Sequence, residues 1–305
     1  VSCAGGMRSD CFFPAALTPA EGMDVCKLTI SGLQGGHSGA DIHLGRGSAN
    51  RLMGRVLCAA LEKFPGLRLA AIDGGEFDNV ICSRCEAAAA LPAGKGEAFA
   101  AFAREFDAAL KNEYAVTDPG VALECVPSSA DRAVSPERTA VLLRALAVLP
   151  HGVEAMDTDF PGLVQTSLNM GVVRLDDAGL HVTFSIRSSI ASRKEMLAQR
   201  VRAAAALAGG TVTERGVYPG WQYRRDSEFR ETLLAAYKDL TGKDGVVEAT
   251  HGGLECGLFM EKLPGLDAVS LGPDIPDIHS VRERLGVSSV ARTYALVCEV
   301  LRRSV

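Results

Sequence analysis

Apolar positions recur along this chain with two different periods. Cys26, Leu28 and Ile30 alternate with polar neighbours between Val25 and Ser31, the mark of a half-buried strand, and Met53, Val56, Leu57, Ala60, Leu61 and Phe64 then fall at the spacing of one helix face. Strand patterns follow near Leu67 to Asp73 and Asn79 to Leu91. A second helical stripe (Phe99, Phe102, Phe106, Leu110) leads into a strand from Val121 to Val126. The order β-α-β-β-α-β is that of a ferredoxin-like unit.

A similar set begins after Pro119 and Pro127. It comprises a helix from Glu137 to Leu149, strands Val164 to Leu175 and Leu180 to Ser188, a helix from Arg193 to Ala208 and a strand from Thr211 to Val217. Asp176-Asp177-Ala178-Gly179 supplies the hairpin turn between its two central strands. After Trp221 the pattern changes to helix Ser227 to Leu240, strand Val246 to Glu248, a short helix around Glu255, strand Asp267 to Leu271 and a last helix bearing Val290, Tyr294, Val297 and Leu301. That alternation reads as part of an α/β layer.

Composition adds little that contradicts this. The 305 residues are 47% hydrophobic and 23% charged with a net charge of −5, which suits a soluble enzyme of two domains and offers nothing to nucleic acid. No apolar run is long enough for a membrane span or a signal peptide. Nine cysteines, an odd number scattered through apolar elements, read as buried thiols in a reducing compartment, so the cytoplasm is expected. Cys82-Ser-Arg-Cys85 is a lone pair without the second pair that a zinc site needs.

Candidate chemistry collects at five places. In GLQGGHSGADIHLGRGSAN (Gly32 to Asn50), Gly35, Gly36 and Gly39 free the backbone around His37, which reads equally as a loop-capping histidine and as an N–H donor to a developing oxyanion. Strand alternation turns His181, Thr183, Ser185 and Arg187 away from the apolar face, so Arg187 is either a solvated strand arginine or a fork for a carboxylate. Asn79 follows Gly74-Gly75 and on spacing alone is a turn residue. In His251-Gly252-Gly253-Leu254-Glu255-Cys256-Gly257 the glycines precede a short helix, which favours amides turned toward an anion; His251 reads as ligand, acid or loop support, and Glu255 as site residue or helix cap. His279 follows an apolar strand, where α/β enzymes collect ligands, but one histidine cannot define a zinc site.

GLQGGHSGADIHLGRGSAN, the SIRSS strand, HGGLECG and IHS-x-x-E-R-L together resemble the aminoacyl-histidine dipeptidases, zinc peptidases of the M20 family. The resemblance runs from the CAGG near the start to the last helix. It implies an α/β fold in which a doubled ferredoxin-like α+β lid (21–219) is inserted in a catalytic domain represented by residues 1–20 and 220–305. It implies two zinc ions, a dipeptide substrate, His37 as oxyanion donor, Asn79, Arg187, Gly252 and Gly253 as substrate contacts, and His279 as a metal ligand. Pairing of lids between two subunits is implied as well. Val281 stands where the family has proline. The family's other zinc ligands and its glutamate base would precede Val1, so residues 1–305 alone are expected to be inactive, with the part from Trp221 onward loosely ordered. A non-catalytic lid module, or an M20 deacylase or tripeptidase, is the alternative.

Overall fold

The structure is a computed structural model that describes residues 1–278 and 280–304. Nine strands form one antiparallel sheet: β1 (Gly5–Pro14), β2 (Asp24–Ser31), β3 (Arg68–Gly74), β4 (Cys85–Leu91), β5 (Ala122–Ser128), β6 (Gly152–Met156), β7 (Val164–Leu175), β8 (Gly179–Ser188) and β9 (Thr211–Tyr218). Helices α1 (Ala49–Lys63), α2 (Gly96–Glu113), α3 (Pro136–Val148) and α4 (Ala191–Leu207) contribute Leu52, Phe99, Leu142 and Leu197 to the single large core beneath it. The chain is therefore mixed α/β.

The sheet runs β9-β1-β8-β7-β3-β4-β2-β5, with β6 on the free part of β7. Split at the β7–β3 seam, it gives two ferredoxin-like units. One is β2-α1-β3-β4-α2-β5, in the strand order β5-β2-β4-β3, as the hydrophobic pattern predicts. The other has the matching order β9-β1-β8-β7, and its first strand is β1. Residues 1–20, expected with the catalytic segment, thus place ten residues in the nine-stranded sheet, paired with β8 from Gly5↔Ser188 to Pro14↔Gly179. The second unit does not simply follow the first. The first unit is inserted between β1 and α3 of the second.

The seam is narrow, with Val173↔Gly74 and Arg174↔Asp73 as the paired residues. Asn50, fully buried on α1, reinforces it by directing Nδ2 at the carbonyls of Gly74, Met170 and Gly171 at 3.1–3.3 Å. A side chain at Gly75 would come within 1.9 Å of the Gly171 carbonyl oxygen, and φ there is +79°, so only glycine fits the crossing.

Beyond Trp221 lie α5 (Glu228–Thr241), α6 (Cys256–Lys262) and α7 (Val287–Arg303). Leu233, Ala236 and Val300 form a separate small cluster between α5 and α7. The strands expected at Val246 to Glu248 and Asp267 to Leu271 are absent: neither segment has a ladder partner among the described residues, and β-propensity alone does not make a strand. Val287, Tyr294 and Leu301 on α7 are exposed. Trp221 is buried, and its N–H and C=O both pair with Cys3, tying the start of the chain to this part.

Candidate active site

Helices cover one face of the sheet, which leaves the other free for polar side chains. On β8, Leu180, Val182, Phe184 and Ile186 are fully buried while Arg187 emerges on the opposite face. Register places Gly6 of β1 and Ser167 of β7 on either side of it. Arg187 Nη1 lies 3.4 Å from Tyr218 Oη, and Nε is buried without a partner. The guanidinium thus touches Tyr218 through one terminal nitrogen and keeps the Nε donor unused.

The loop carrying His37 folds over this face. Gly36 and His37 pair with Ile81 and Val80 in a short ladder, and Ser38 N–H donates to the Asn79 carbonyl at 2.9 Å. Asn79, about forty residues after His37 in the sequence, is brought to the same loop by that ladder. Gly35 and Gly36 adopt positive φ (65° and 136°), but Gly39 does not; its lack of Cβ instead makes room for the imidazole, whose Cε1 would lie 2.9 Å from an added Cβ.

His37 Nδ1 accepts the N–H groups of Gly39 and Ala40, both at 3.2 Å. A ring nitrogen that accepts cannot carry a proton, so the neutral ring bears its hydrogen on Nε2. Burial, and then the Arg187 charge, push its pKa below the ordinary 6.5 against the opposing pull of Asp41. At neutral pH, His37 is therefore a neutral donor whose N–H points away from its own loop. The loop-capping contact is made by Nδ1, which leaves the hydrogen of the neutral ring on Nε2.

His251 sits beneath. It is 5% exposed, its Nε2 is 2.8 Å from Ser167 Oγ, and burial followed by the Arg187, His37 and His43 charges holds its pKa down to about 3. The bond to Ser167 ties this loop to the sheet face, and the lowered pKa keeps the ring uncharged near neutral pH. Gly252 N–H, expected to face an anion, is taken by Thr250 Oγ1 at 3.1 Å, while the Gly252 carbonyl accepts Ala4 N–H at 3.1 Å. Gly253 packs on the Tyr218 ring, where a Cβ would meet Cε2 at 2.9 Å. Glu255 stands at the N-cap of α6 without a side-chain capping bond.

A cavity of about 300 Å³ lies between the loops, lined by His37, Ala40, His43, Val164, Thr250 and Gly252. The structure therefore brings His37, Asn79, Arg187, Gly252 and Gly253 into one region. His279 lies outside the described residues. Among the described residues no group of three His, Cys, Asp or Glu could hold a metal ion. His43, Ser167 and Tyr218 were not legible in the sequence as site residues, since each lies in an ordinary helix-turn or strand pattern. All nine cysteines are free, Cys82 and Cys85 included.

Buried neutral histidines carry a pH signature. His151, whose Nδ1 accepts Met170 N–H at 3.0 Å, is held by burial to about 4, so both it and His251 have folded pKa values below the ordinary 6.5. Their contribution is fully present above pH 6.5 and is lost as pH falls toward 4 and 3, at about 1.4 kcal/mol per pH unit for each group. Urea midpoints are expected to drop between pH 7 and pH 5, less so in His251→Gln. A midpoint constant over that range would show that the two rings are charged in the folded state.

Comparison with known proteins fits this geometry. Residues 28–118 match the family described as peptidase dimerisation domain. The chain is 34% identical, over 99% of its length, to the cytosol non-specific dipeptidase of Escherichia coli (strain K12), and covers 62% of that protein. It superposes on the crystal structure of aminoacylhistidine dipeptidase from Vibrio alginolyticus with a TM-score of 0.92 at 32% identity, covering 99% of this chain and 62% of that one. The chain thus spans somewhat under two thirds of the length of these relatives.

Proposed function

We propose that the chain belongs to the M20 peptidase family and supplies the substrate-holding and oxyanion-stabilising half of a dipeptidase. The observation that carries this reading is that His37, with its Nε2–H not used by its own loop, stands near the Arg187 guanidinium, whose charge adds to burial in lowering its pKa. Arg187 would take the carboxylate of a short peptide, which suits a substrate whose C-terminus lies next to the scissile bond. His37 would then donate to the carbonyl oxygen as it gains charge. Asn79, presented by the ladder beside His37, and the Gly252-Gly253 turn under Tyr218 would line the rest of the peptide.

Two zinc ions and a preference for Xaa-His dipeptides belong to this proposal through the family. When bound, such ions supply an activated water and polarise the carbonyl. The described residues do not assemble a site for them. Dimerisation through the lid and a cytoplasmic location belong to the same reading, the latter supported by nine free thiols.

The test is zinc stoichiometry and hydrolysis of a dipeptide panel, measured on residues 1–305 and on the protein expressed from its complete reading frame. The expected result is turnover by the latter, and neither turnover nor tightly held zinc in the former, since a catalytic zinc uses about three protein ligands. Two zinc ions and turnover in residues 1–305 would mean that the metal site is built within this chain. Dipeptides left intact while acylated amino acids or tripeptides are cut would move the assignment to another M20 activity.

A further inference from the structure

The loop that presents His37 leaves the sheet at Gln34 and reaches α1 by way of Gly47, and both stems end on one side chain outside the loop. Asp118, fully buried past the end of α2, accepts Gln34 N–H on Oδ1 at 2.7 Å and Gly47 N–H on Oδ2 at 2.8 Å. Among the described residues its carboxylate makes no ion pair. Burying a carboxylate is costly unless its oxygens are bonded, so these two amides are what hold it there, and it in turn holds them. Its backbone is anchored independently: Asp118 N–H donates to the Tyr114 carbonyl and its own carbonyl accepts Val121 N–H. Gln34 Nε2 adds a bond to the Thr117 carbonyl at 2.5 Å.

Between the stems, the loop is stiffened from within. Asp41 Oδ2 accepts His37 N–H at 2.8 Å, the His37 carbonyl accepts Asp41 N–H at 2.8 Å, and Arg46 Nη1 donates to the Gly35 carbonyl at 2.7 Å. The imidazole is locked to the loop through Nδ1. Besides its short ladder with Val80 and Ile81, the loop is held at its two stems, and one carboxylate grips both.

We infer that Asp118 is a positioning residue: by clamping both stems it sets where the His37 Nε2–H stands over the sheet face. This rests on the reading of His37 as an oxyanion donor. In wild-type protein, the amides of Gln34 and Gly47 should exchange hydrogen as slowly as those of the neighbouring strands, a measurement that needs no variant. Asp118→Asn keeps the shape but turns an NH2 toward one of the two amides, opening one stem. In the protein expressed from its complete reading frame it should lower kcat about ten- to a hundredfold, since displacement of a catalytic group by about 1 Å has that effect, with KM within about twofold. Faster exchange should be confined to residues 34–47. In a His37→Ala background the same substitution should change kcat little, because the two act as one unit.

Fast exchange at Gln34 and Gly47 in the wild type would overturn the clamp. So would an Asp118→Asn effect on kcat that is equally large without His37, or one spread over the exchange of the whole lid, which would mark Asp118 as a general stitch. Undiminished kcat in Asp118→Asn while His37→Ala is impaired would overturn the positioning role alone. Undiminished kcat in His37→Ala would overturn the oxyanion reading, and this role with it.

Discussion

His37→Ala is expected to lower kcat for dipeptides by about a hundredfold or more in the protein expressed from its complete reading frame, with KM and melting temperature nearly unchanged. The size follows from the kind of interaction lost. An oxyanion donor acts on charge that exists only in the transition state, and removing one such donor lowers kcat by roughly a hundred- to a thousandfold. The absence of a stability effect follows from exposure: the imidazole stands on an exposed residue, and the loop keeps its other bonds through Asp41 and Arg46. Because the ring is already neutral, with its pKa below 6.5, the ratio of wild-type to variant kcat should stay level from pH 6.5 upward. His37→Gln, which retains an N–H, should recover part of the loss. If metal content falls together with kcat, His37 is a ligand and not a donor.

Arg187→Ala should act on binding. Losing a charge-assisted pair to a carboxylate removes about 1.5–3 kcal/mol, so KM should rise roughly ten- to 150-fold, with kcat changed less. Arg187→Lys should fall between, because an ammonium keeps the charge but loses the planar fork. The sharper control is chemical: a dipeptide whose C-terminus is an amide should be hydrolysed equally poorly by wild type and Arg187→Ala. The substitution also removes the second-largest cause of the depressed His37 pKa, so that ring should titrate closer to 6.5 in the variant. An unchanged KM for free dipeptides would show that Arg187 is a solvated strand arginine.

Much of the fold is legible in the hydrophobic pattern. The strand from Val164 to Leu175 has the predicted ends, and the helices predicted at Glu137 to Leu149 and Arg193 to Ala208 are displaced by one or two residues. These elements are long, and each buries one face, so periodicity alone identifies them. β1 carries the strand pattern only weakly. Met7, Ser9, Cys11 and Phe13 are its buried face and alternate as a strand should, yet Ser9 breaks the apolar signal and the segment lies far in sequence from its partners. The absent strands at Val246 to Glu248 and Asp267 to Leu271 are the converse case, apolar stretches whose strand character depends on a neighbour to pair with.

By itself the sequence determined the elements of the first ferredoxin-like unit and all but the first strand of the second, the glycine-rich loop around His37 and the face of β8 that Arg187 occupies. All of these are local, set by side-chain period and by the backbone freedom of glycine. Tertiary structure alone decided that the first unit is inserted within the second, because strand order depends on pairing between distant segments such as Gly5↔Ser188. It decided that His251 is buried and bonded to Ser167, since such contacts are a property of the packed sheet face. It also decided which nitrogen of His37 carries the proton and that Asp118 holds the loop, for hydrogen-bond partners are chosen by proximity in space, and no spacing along the chain records them.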